Sequence, residues 1–398
     1  MSFICIAGKN KIAIDGIDLL VKIGVDKAKI LACVNKTDDG IDTWQPSFKR
    51  YCIQNEIRIA KVQELFQIKN LIFISLEFDQ IINTDKFLSN QLYNIHFSKL
   101  PFYKGMYTSI LPLLHGESIS GVTLHLIDKG IDTGDIIDQI EFHTSIKTRG
   151  IDLYFMYLDF GLRLLQRNIV SILNNKIIAT PQTIINSTYY AKSSLSFTNL
   201  EIDFYMTAYQ IHNFVRAFTF RPYQLISFKN IPLSHTFITQ NKSQSKPGTI
   251  VNFNEIFFEV STIDYNIILY RDLLGEILNA ARNDDMTLIV SLNNHGYFLE
   301  DKNSKGWNAL IVSAFHESKN VFDYLVQLGC NINVTNNNGT SLFMYSMTKA
   351  CESNDNYFVK RLLELGVDRY HKDNSNKSAY EYCLELNNNS IYNLITNG

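Results

Sequence analysis

Asn94, His96 and Asp132 are an amide, an imidazole and a carboxylate, the first two separated by one residue and the third 36 positions beyond the histidine. These residue types suit acyl transfer to an amine. The attacking nitrogen must lose a proton while the carbonyl oxygen turns negative. The reaction therefore needs a base, a group that orients it, and a hydrogen-bond donor for the oxyanion. His96, Asp132 and Asn94 can fill those roles in that order.

The elements that must position them read as α/β. Phe3 to Ala7 is a short apolar run ending in Gly8-Lys9-Asn10, after which Ile12, Ile17, Leu20 and Ile23 recur at helical spacing. Further apolar runs at Ile30–Val34, Leu71–Ser75, Val122–Ile127 and Ile136–Ile140 alternate with helical stretches over roughly Pro46–Phe66 and Met106–His115. This alternation predicts a mainly parallel sheet, whose ligands sit beyond the carboxyl ends of the strands. Asn94 and His96 are expected just after such a strand. A long helix over Asp152–Asn174 leads out of this body. An amphipathic helix from Asp203 and short β-rich runs from Gln224 to Tyr270 predict a small second domain.

At 398 residues the chain exceeds one compact core. Lysine plus arginine number 37 against 39 aspartates and glutamates, so no global field favours nucleic acid or a membrane surface. The six cysteines form no C-x-x-C pair and no cluster has metal-ligand spacing, so no metal is expected. Neither a signal peptide nor a bilayer-spanning apolar stretch is present, and a cytoplasmic protein is expected.

Around the opening residues the pattern is long. Asn94-x-His96-x-Ser98-x-Leu100-Pro101-x-x-Lys104-Gly105, then Gly116, Gly121-Val-Thr-Leu-His125, then Asp128-x-Gly130-Ile-Asp132-Thr-Gly134-Asp-Ile136 together resemble the folate-dependent formyltransferase family. Within it, the similarity is to sugar N-formyltransferases acting on nucleotide-linked amino sugars, over roughly residues 1–270. The resemblance implies a Rossmann-like core and 10-formyltetrahydrofolate as formyl donor. It also implies Asn94, His96 and Asp132 as the catalytic set, with either His96 or Asp132 as first proton acceptor, because a coupled pair shares its titration. Folate is expected along Phe78, Asp79 and Ile81, with Phe78 and Ile81 as core residues in the alternative. His115 and His125 are expected as structural supports.

On the acceptor side, Lys9 and Asn10 lie at a strand-to-helix junction that can meet phosphate. Lys104, Met106 and Tyr107 fall in a segment that resembles dTDP-amino-sugar enzymes. Tyr190, Arg221 and Tyr223 can offer aromatic faces for a base and a cation for pyrophosphate. The resemblance implies N-formylation of a dTDP-linked 3- or 4-amino-dideoxy sugar for surface polysaccharide (O-antigen), by a homodimer. The alternatives are a methionyl-tRNA-type formyltransferase, and a scaffold with an idle catalytic domain.

The last third repeats. Asn303-Ser-Lys-Gly306 aligns with Asn336-Asn-Asn-Gly339, a spacing of 33 residues, which is the ankyrin period. About four units are expected, with extra residues near Thr348–Asn356. Trp307 is expected to face the concave groove, where packing, a protein partner or a second small ligand can cover it. The expected layout is a catalytic domain over 1–200, a small β-rich domain over 201–271 and an all-α ankyrin array over 272–398.

Overall fold

The computed structural model describes residues 2–198 and 200–397. It separates into two units, one of Met1–Ile41 with Gln45–Arg271, the other of Asp42–Trp44 with Asp272–Gly398.

The first unit opens with β1 (Phe3–Gly8), α1 (Asn10–Lys22), β2 (Ile30–Val34), α2 (Phe48–Gln54), β3 (Arg58–Ile59), α3 (Val62–Leu65), β4 (Leu71–Leu76) and β5 (Leu92–His96). It continues through β6 (Lys104–Gly105), α4 (Leu111–Leu114), β7 (Ile119–Leu126), β8 (Ile136–His143), α5 (Gly150–Leu173) and β9 (Tyr189–Tyr190). Seven of these strands form one sheet in the order β3-β2-β1-β4-β5-β7-β8. The first five run parallel, and β7 and β8 are added antiparallel. Strands of a parallel sheet are covered on both faces and so read as continuous apolar runs. All six residues of β4 are buried, which is why Leu71 to Ser75 stands out in the sequence.

Two helical expectations are corrected. The stretch Pro46–Phe66 is not one helix: β3 interrupts it and pairs Arg58 and Ile59 with Leu31 and Ala32. There, unpaired edge groups of β2 outcompete the helical spacing of the side chains. Within Met106–His115 only Leu111–Leu114 is helical, because Tyr107 adopts a left-handed φ of 64° that breaks a continuous helix. Asn94 and His96 occupy the last residues of β5 itself rather than the segment beyond it.

α5 begins where the Asp152 carboxylate accepts from the Arg149 backbone N–H at 2.9 Å. α6 (Ala208–Phe218) begins where the Thr207 hydroxyl accepts from Gln210 N at 3.2 Å. The helix expected from Asp203 therefore starts at Ala208. Behind α6 lies a five-stranded antiparallel sheet of β10 (Ser227–Phe228), β11 (Ile231–Lys242), β12 (Ile250–Phe253), β13 (Phe257–Val260) and β14 (Tyr265–Arg271). Its strand order is β10-β11-β14-β13-β12.

The second unit holds consecutive helix pairs: α7 (Leu274–Arg282) with α8 (Met286–Asn294), α9 (Ala309–Phe315) with α10 (Lys319–Gln327), α11 (Leu342–Ser353) with α12 (Tyr357–Glu364), and α13 (Ala379–Glu385) with α14 (Asn389–Asn397). Tight turns recur before α9, α11 and α13, where Asn303, Asn336 and Asp373 donate their backbone N–H to the residue four positions on. Gly306 and Gly339 occupy these turns at φ of 82° and 74°. The turns stack, with Asn337 N donating to Lys305 O and Asn374 N to Asn338 O. Repetition of helix pair and turn is thus visible in the backbone, and each pair buries its apolar face against the next.

Close strand packing gives a first testable outcome. A Cβ added to Gly8 would lie 1.9 Å from the Leu76 carbonyl oxygen of β4, a backbone atom that cannot swing away. Gly8→Ala is expected to destabilise the first unit by about 1–3 kcal/mol, the range of forced overpacking with backbone shift. A lowered urea midpoint read by tyrosine fluorescence checks it.

Candidate active site

β5 brings Asn94 and His96 to the carboxyl end of the parallel strands, and as residues i and i+2 they share a face. β7 runs antiparallel beside it, placing His125 directly opposite Asn94. The loop after β5 is tied back to β7 by buried Thr123. Its hydroxyl donates to Ser98 O at 2.7 Å and accepts from Leu100 N at 3.1 Å. Asp132 comes from the loop between β7 and β8. A Cβ on Gly134 would lie 1.8 Å from Leu126 O, so the loop folds flat against the strand only with glycine there. Asp132 itself holds a φ of 55°, a strained conformation for a residue with a Cβ.

Hydrogen bonds assign the protons. His96 Nε2 lies 2.8 Å from the Tyr103 carbonyl, so Nε2 carries hydrogen and donates. Nδ1 is then the basic nitrogen. It faces Asp132 Oδ2 at 3.4 Å, so a proton arriving there is held between base and carboxylate. His125 Nδ1 donates to Leu126 O at 2.7 Å, which leaves Nε2 as acceptor for the Asn94 amide nitrogen at 3.0 Å. The same amide nitrogen donates to Asp132 Oδ1 at 3.3 Å. His125 therefore fixes which end of the Asn94 amide faces the centre. An incoming oxyanion competes for the longer of the two contacts.

β6 acts through its backbone. One edge pairs with β9, Lys104 N donating to Thr188 O and Met106 N to Tyr190 O. The opposite edge offers the Tyr103 carbonyl to His96 and the Gly105 N–H to Asp132 Oδ2 at 2.8 Å. Gly105 has a φ of 88° and sits so close to β9 that a Cβ would meet Tyr190 O at 2.3 Å. Gln182, on the segment leading to β9, donates to the carbonyls of Asp132 at 2.9 Å and Gly134 at 2.7 Å. One stretch of chain thus braces both sides of the His96–Asp132 pair.

Burial opposes ionisation of Asp132. His96 and His125, each once its ring carries a second proton, together with the Gly105 N–H outweigh it and hold the carboxyl well below the usual carboxylate range. A lowered folded-state pKa contributes stability above the unfolded value of about 3.9 and loses it as pH falls through the folded value. Asp132→Asn is accordingly expected to be less stable than the wild type at pH 7. The gap should narrow below about pH 4, as urea midpoints at the two pH values would record.

The other expected site residues divide by location. Lys9 and Asn10 follow β1 as the N-cap and first residue of α1, and the Asn10 side-chain amide donates to the Tyr154 hydroxyl at 3.0 Å. Phe78 is partly buried and packs against the core beside Phe73. Asp79 accepts from Lys36 N at 3.1 Å, and Ile81 is 79 % exposed. Lys104 is buried in β6, and Met106 is half exposed. The Tyr107 hydroxyl donates to Lys192 O at 2.7 Å. Tyr190 stacks on Tyr103 at 5.7 Å between centroids. Arg221 and Tyr223 lie in the turn closed by the Phe220–Gln224 bridge, and Phe220 packs against Tyr154 at 5.7 Å. Trp307 belongs to the second unit, half buried between Phe315 at 5.2 Å and Tyr345 at 4.9 Å.

Sequence reasoning missed the backbone edge of β6, Gln182, Glu77 and Tyr154. Backbone donors carry no residue identity, and Gln182 sits in a stretch without periodicity. Among the described residues no helix is long and apolar enough to cross a membrane.

Comparison with known proteins covers this unit. A family model described as Formyl transferase matches residues 25–167, and one described as Formyl transferase, C-terminal domain, matches 195–273. The methionyl-tRNA formyltransferase of Clostridium beijerinckii is 31 % identical over 217 residues, 53 % of this chain and 68 % of that protein. That of Clostridium perfringens is 34 % identical over 173 residues, 42 % of this chain, and the match spans only 55 % of its own length. Among solved structures, an N-formyltransferase from Helicobacter canadensis in complex with folinic acid and dTDP-3-aminofucose is 40 % identical with a TM-score of 0.64. The match covers 68 % of this chain and 100 % of that one. WlaRD, a sugar 3N-formyl transferase solved with dTDP and 5-N-formyl-THF, is 42 % identical with a TM-score of 0.64, over 68 % of this chain and 98 % of its own.

Proposed function

Since the chain belongs to the formyl transferase family, we propose that it moves a formyl group from 10-formyltetrahydrofolate to the amine of a dTDP-linked 3- or 4-amino-dideoxy sugar. The single observation that carries the choice of acceptor is the likeness, at 40 % and 42 % identity over 68 % of this chain and nearly the whole of those two proteins, to proteins crystallised with dTDP ligands. A second reading, transfer to methionyl-tRNA, takes its support from the curated relatives at 31 % and 34 %. The balanced charge, without excess lysine and arginine for a polyanion, favours the sugar.

The folate supplies an activated formyl carbon. The segment Phe78, Asp79 and Ile81 fits a flat apolar ring, since it follows β4 at the carboxyl edge and leaves Ile81 79 % exposed. The residues of the chain then divide the work. Asn94 turns an N–H toward the formyl oxygen as negative charge develops there. His96 Nδ1, its other nitrogen committed to Tyr103 O, receives the amine proton together with Asp132. Asp132, ionised at neutral pH, stabilises the imidazolium and returns the proton toward the departing folate nitrogen as the carbon–nitrogen bond breaks. Lys9, Asn10, Lys104, Met106, Tyr107, Tyr190, Arg221 and Tyr223 are assigned to the acceptor pocket.

The helix pairs of the second unit are read as ankyrin repeats, with Trp307 at the edge of their groove as a contact for a partner or second ligand. A homodimer working in the cytoplasm on surface polysaccharide precursors completes the reading. Incubating the purified chain with 10-formyltetrahydrofolate and a panel of dTDP- and UDP-amino sugars tests it. Mass spectrometry should find a formamide on a dTDP sugar, and product with none of the panel would contradict the assignment.

A further inference from the structure

The strand order turns at β1, with β2 on one side and β4 on the other, which opens a crevice beyond the carboxyl ends of β1 and β4. Gly8 pairs with Leu76 and Leu76 with Ile95, so the next residues, Lys9, Glu77 and His96, form a row across three adjacent strand ends. Glu77 is thus about one strand spacing, roughly 4.8 Å, from the strand that carries the base. Asn10 and Glu77 both hold left-handed backbone, at φ of 59° and 60°, without being glycine. Strain of this kind collects at ligand-binding rims.

Glu77 is held firmly. Its Oε2 accepts from the Tyr154 hydroxyl at 2.9 Å, which in turn accepts from the Asn10 amide at 3.0 Å, and its carbonyl accepts from Asn35 Nδ2 at 2.8 Å. Among the described residues no cation forms an ion pair with it, and Lys9 acts on it only from farther away. Burial accordingly pushes its carboxyl up from the ordinary glutamate value. A desolvated carboxylate without a counter-ion is costly in a fold unless a ligand completes it. Its sign also selects the ligand. A phosphate group would be repelled, whereas a hydroxyl donates to it in a charge-assisted hydrogen bond. A sugar ring that presents its amine to His96 extends over the neighbouring strand end, where Glu77 stands.

We propose that Glu77 is the specificity-determining residue for the acceptor sugar: its carboxylate accepts a hydrogen bond from a ring hydroxyl of the amino sugar, and the phosphates of the same substrate bind away from this corner. The inference rests on the reading of the acceptor as a nucleotide-linked amino sugar. It turns the junction Gly8-Lys9-Asn10 from a phosphate site into the wall of a sugar site.

Titration calorimetry on the full chain tests it, with dTDP and a dTDP-linked 3- or 4-amino-dideoxy sugar as the two probes. Glu77→Gln should weaken the amino-sugar nucleotide about tenfold or more, the worth of one hydrogen bond to a charged group, and leave dTDP unchanged. Tyr154→Phe, which keeps the carboxylate, should retain the preference for the sugar-bearing probe and so separates the effect from a collapsed pocket. Equal weakening of both probes by Glu77→Gln, or weakening of neither, overturns the proposal. A wild-type chain that formylates no amino sugar would overturn the underlying reading instead, and this inference with it.

Discussion

Asp132→Asn is expected to lower kcat about 10³–10⁴-fold with little change in KM for either substrate, the size of loss seen when the carboxylate behind a catalytic histidine is neutralised. The geometry explains why so conservative a change should cost so much. Oδ2 accepts from Gly105 N while facing His96 Nδ1, and Oδ1 accepts from the Asn94 amide. An asparagine can satisfy the Gly105 N–H with its oxygen, but its NH2 group then meets the Asn94 NH2 donor to donor. Turning it over satisfies Asn94 and abandons Gly105. In both orientations the negative charge that holds a proton on His96 is gone. Initial rates of tetrahydrofolate release check the outcome, and a kcat within tenfold of wild type would remove Asp132 from the mechanism.

His96→Asn should cost about 10³-fold in kcat, within the range for losing a positioned general base. Because His96 and Asp132 work as one unit, the double variant should be no slower than the slower single variant. Additive losses, multiplying to a rate far below either, would mean that the two residues serve separate steps. Added imidazole offers a complementary observation. The cavity left by the histidine lies between the Tyr103 carbonyl and Asp132, so free imidazole should restore part of the rate in His96→Asn and none in Asp132→Asn.

Much of this was legible before the fold was seen, for physical reasons. β1, β2 and β4 are covered on both faces and announce themselves as unbroken apolar runs. Asn94 and His96 were legible as a pair because their types and spacing carry chemistry, and Asp132 through the pattern of residues around it. The failures share a cause as well. β3 is two residues long and exists only through its pairing with β2, so the local spacing at Arg58 and Ile59 could not reveal it. The brace around the base is built from the Tyr103 carbonyl, the Gly105 N–H and two carbonyls capped by Gln182. None of those backbone groups depends on side-chain identity. Glu77 escaped notice because an isolated carboxylate after an apolar run looks like an ordinary turn residue. Only the register of three strands sets it beside the base.

The spacing of Gly306 and Gly339 shows the same logic in the second unit. Positive φ at both glycines is a backbone requirement written into the sequence, so the turns could be aligned before the helices were known. What the groove beside Trp307 receives was not legible in the same way, since the partly buried indole already packs against Phe315 and Tyr345.

The central claim is that the His96–Asp132 pair formylates a nucleotide-linked amino sugar. Its most direct test is a side-by-side rate of tetrahydrofolate release from 10-formyltetrahydrofolate, with a dTDP-linked amino-dideoxy sugar in one reaction and methionyl-tRNA in the other. Release at least 10²-fold faster with the sugar, abolished in Asp132→Asn, is the expected result. Faster release with methionyl-tRNA, or release with the sugar that survives Asp132→Asn unchanged, would contradict it.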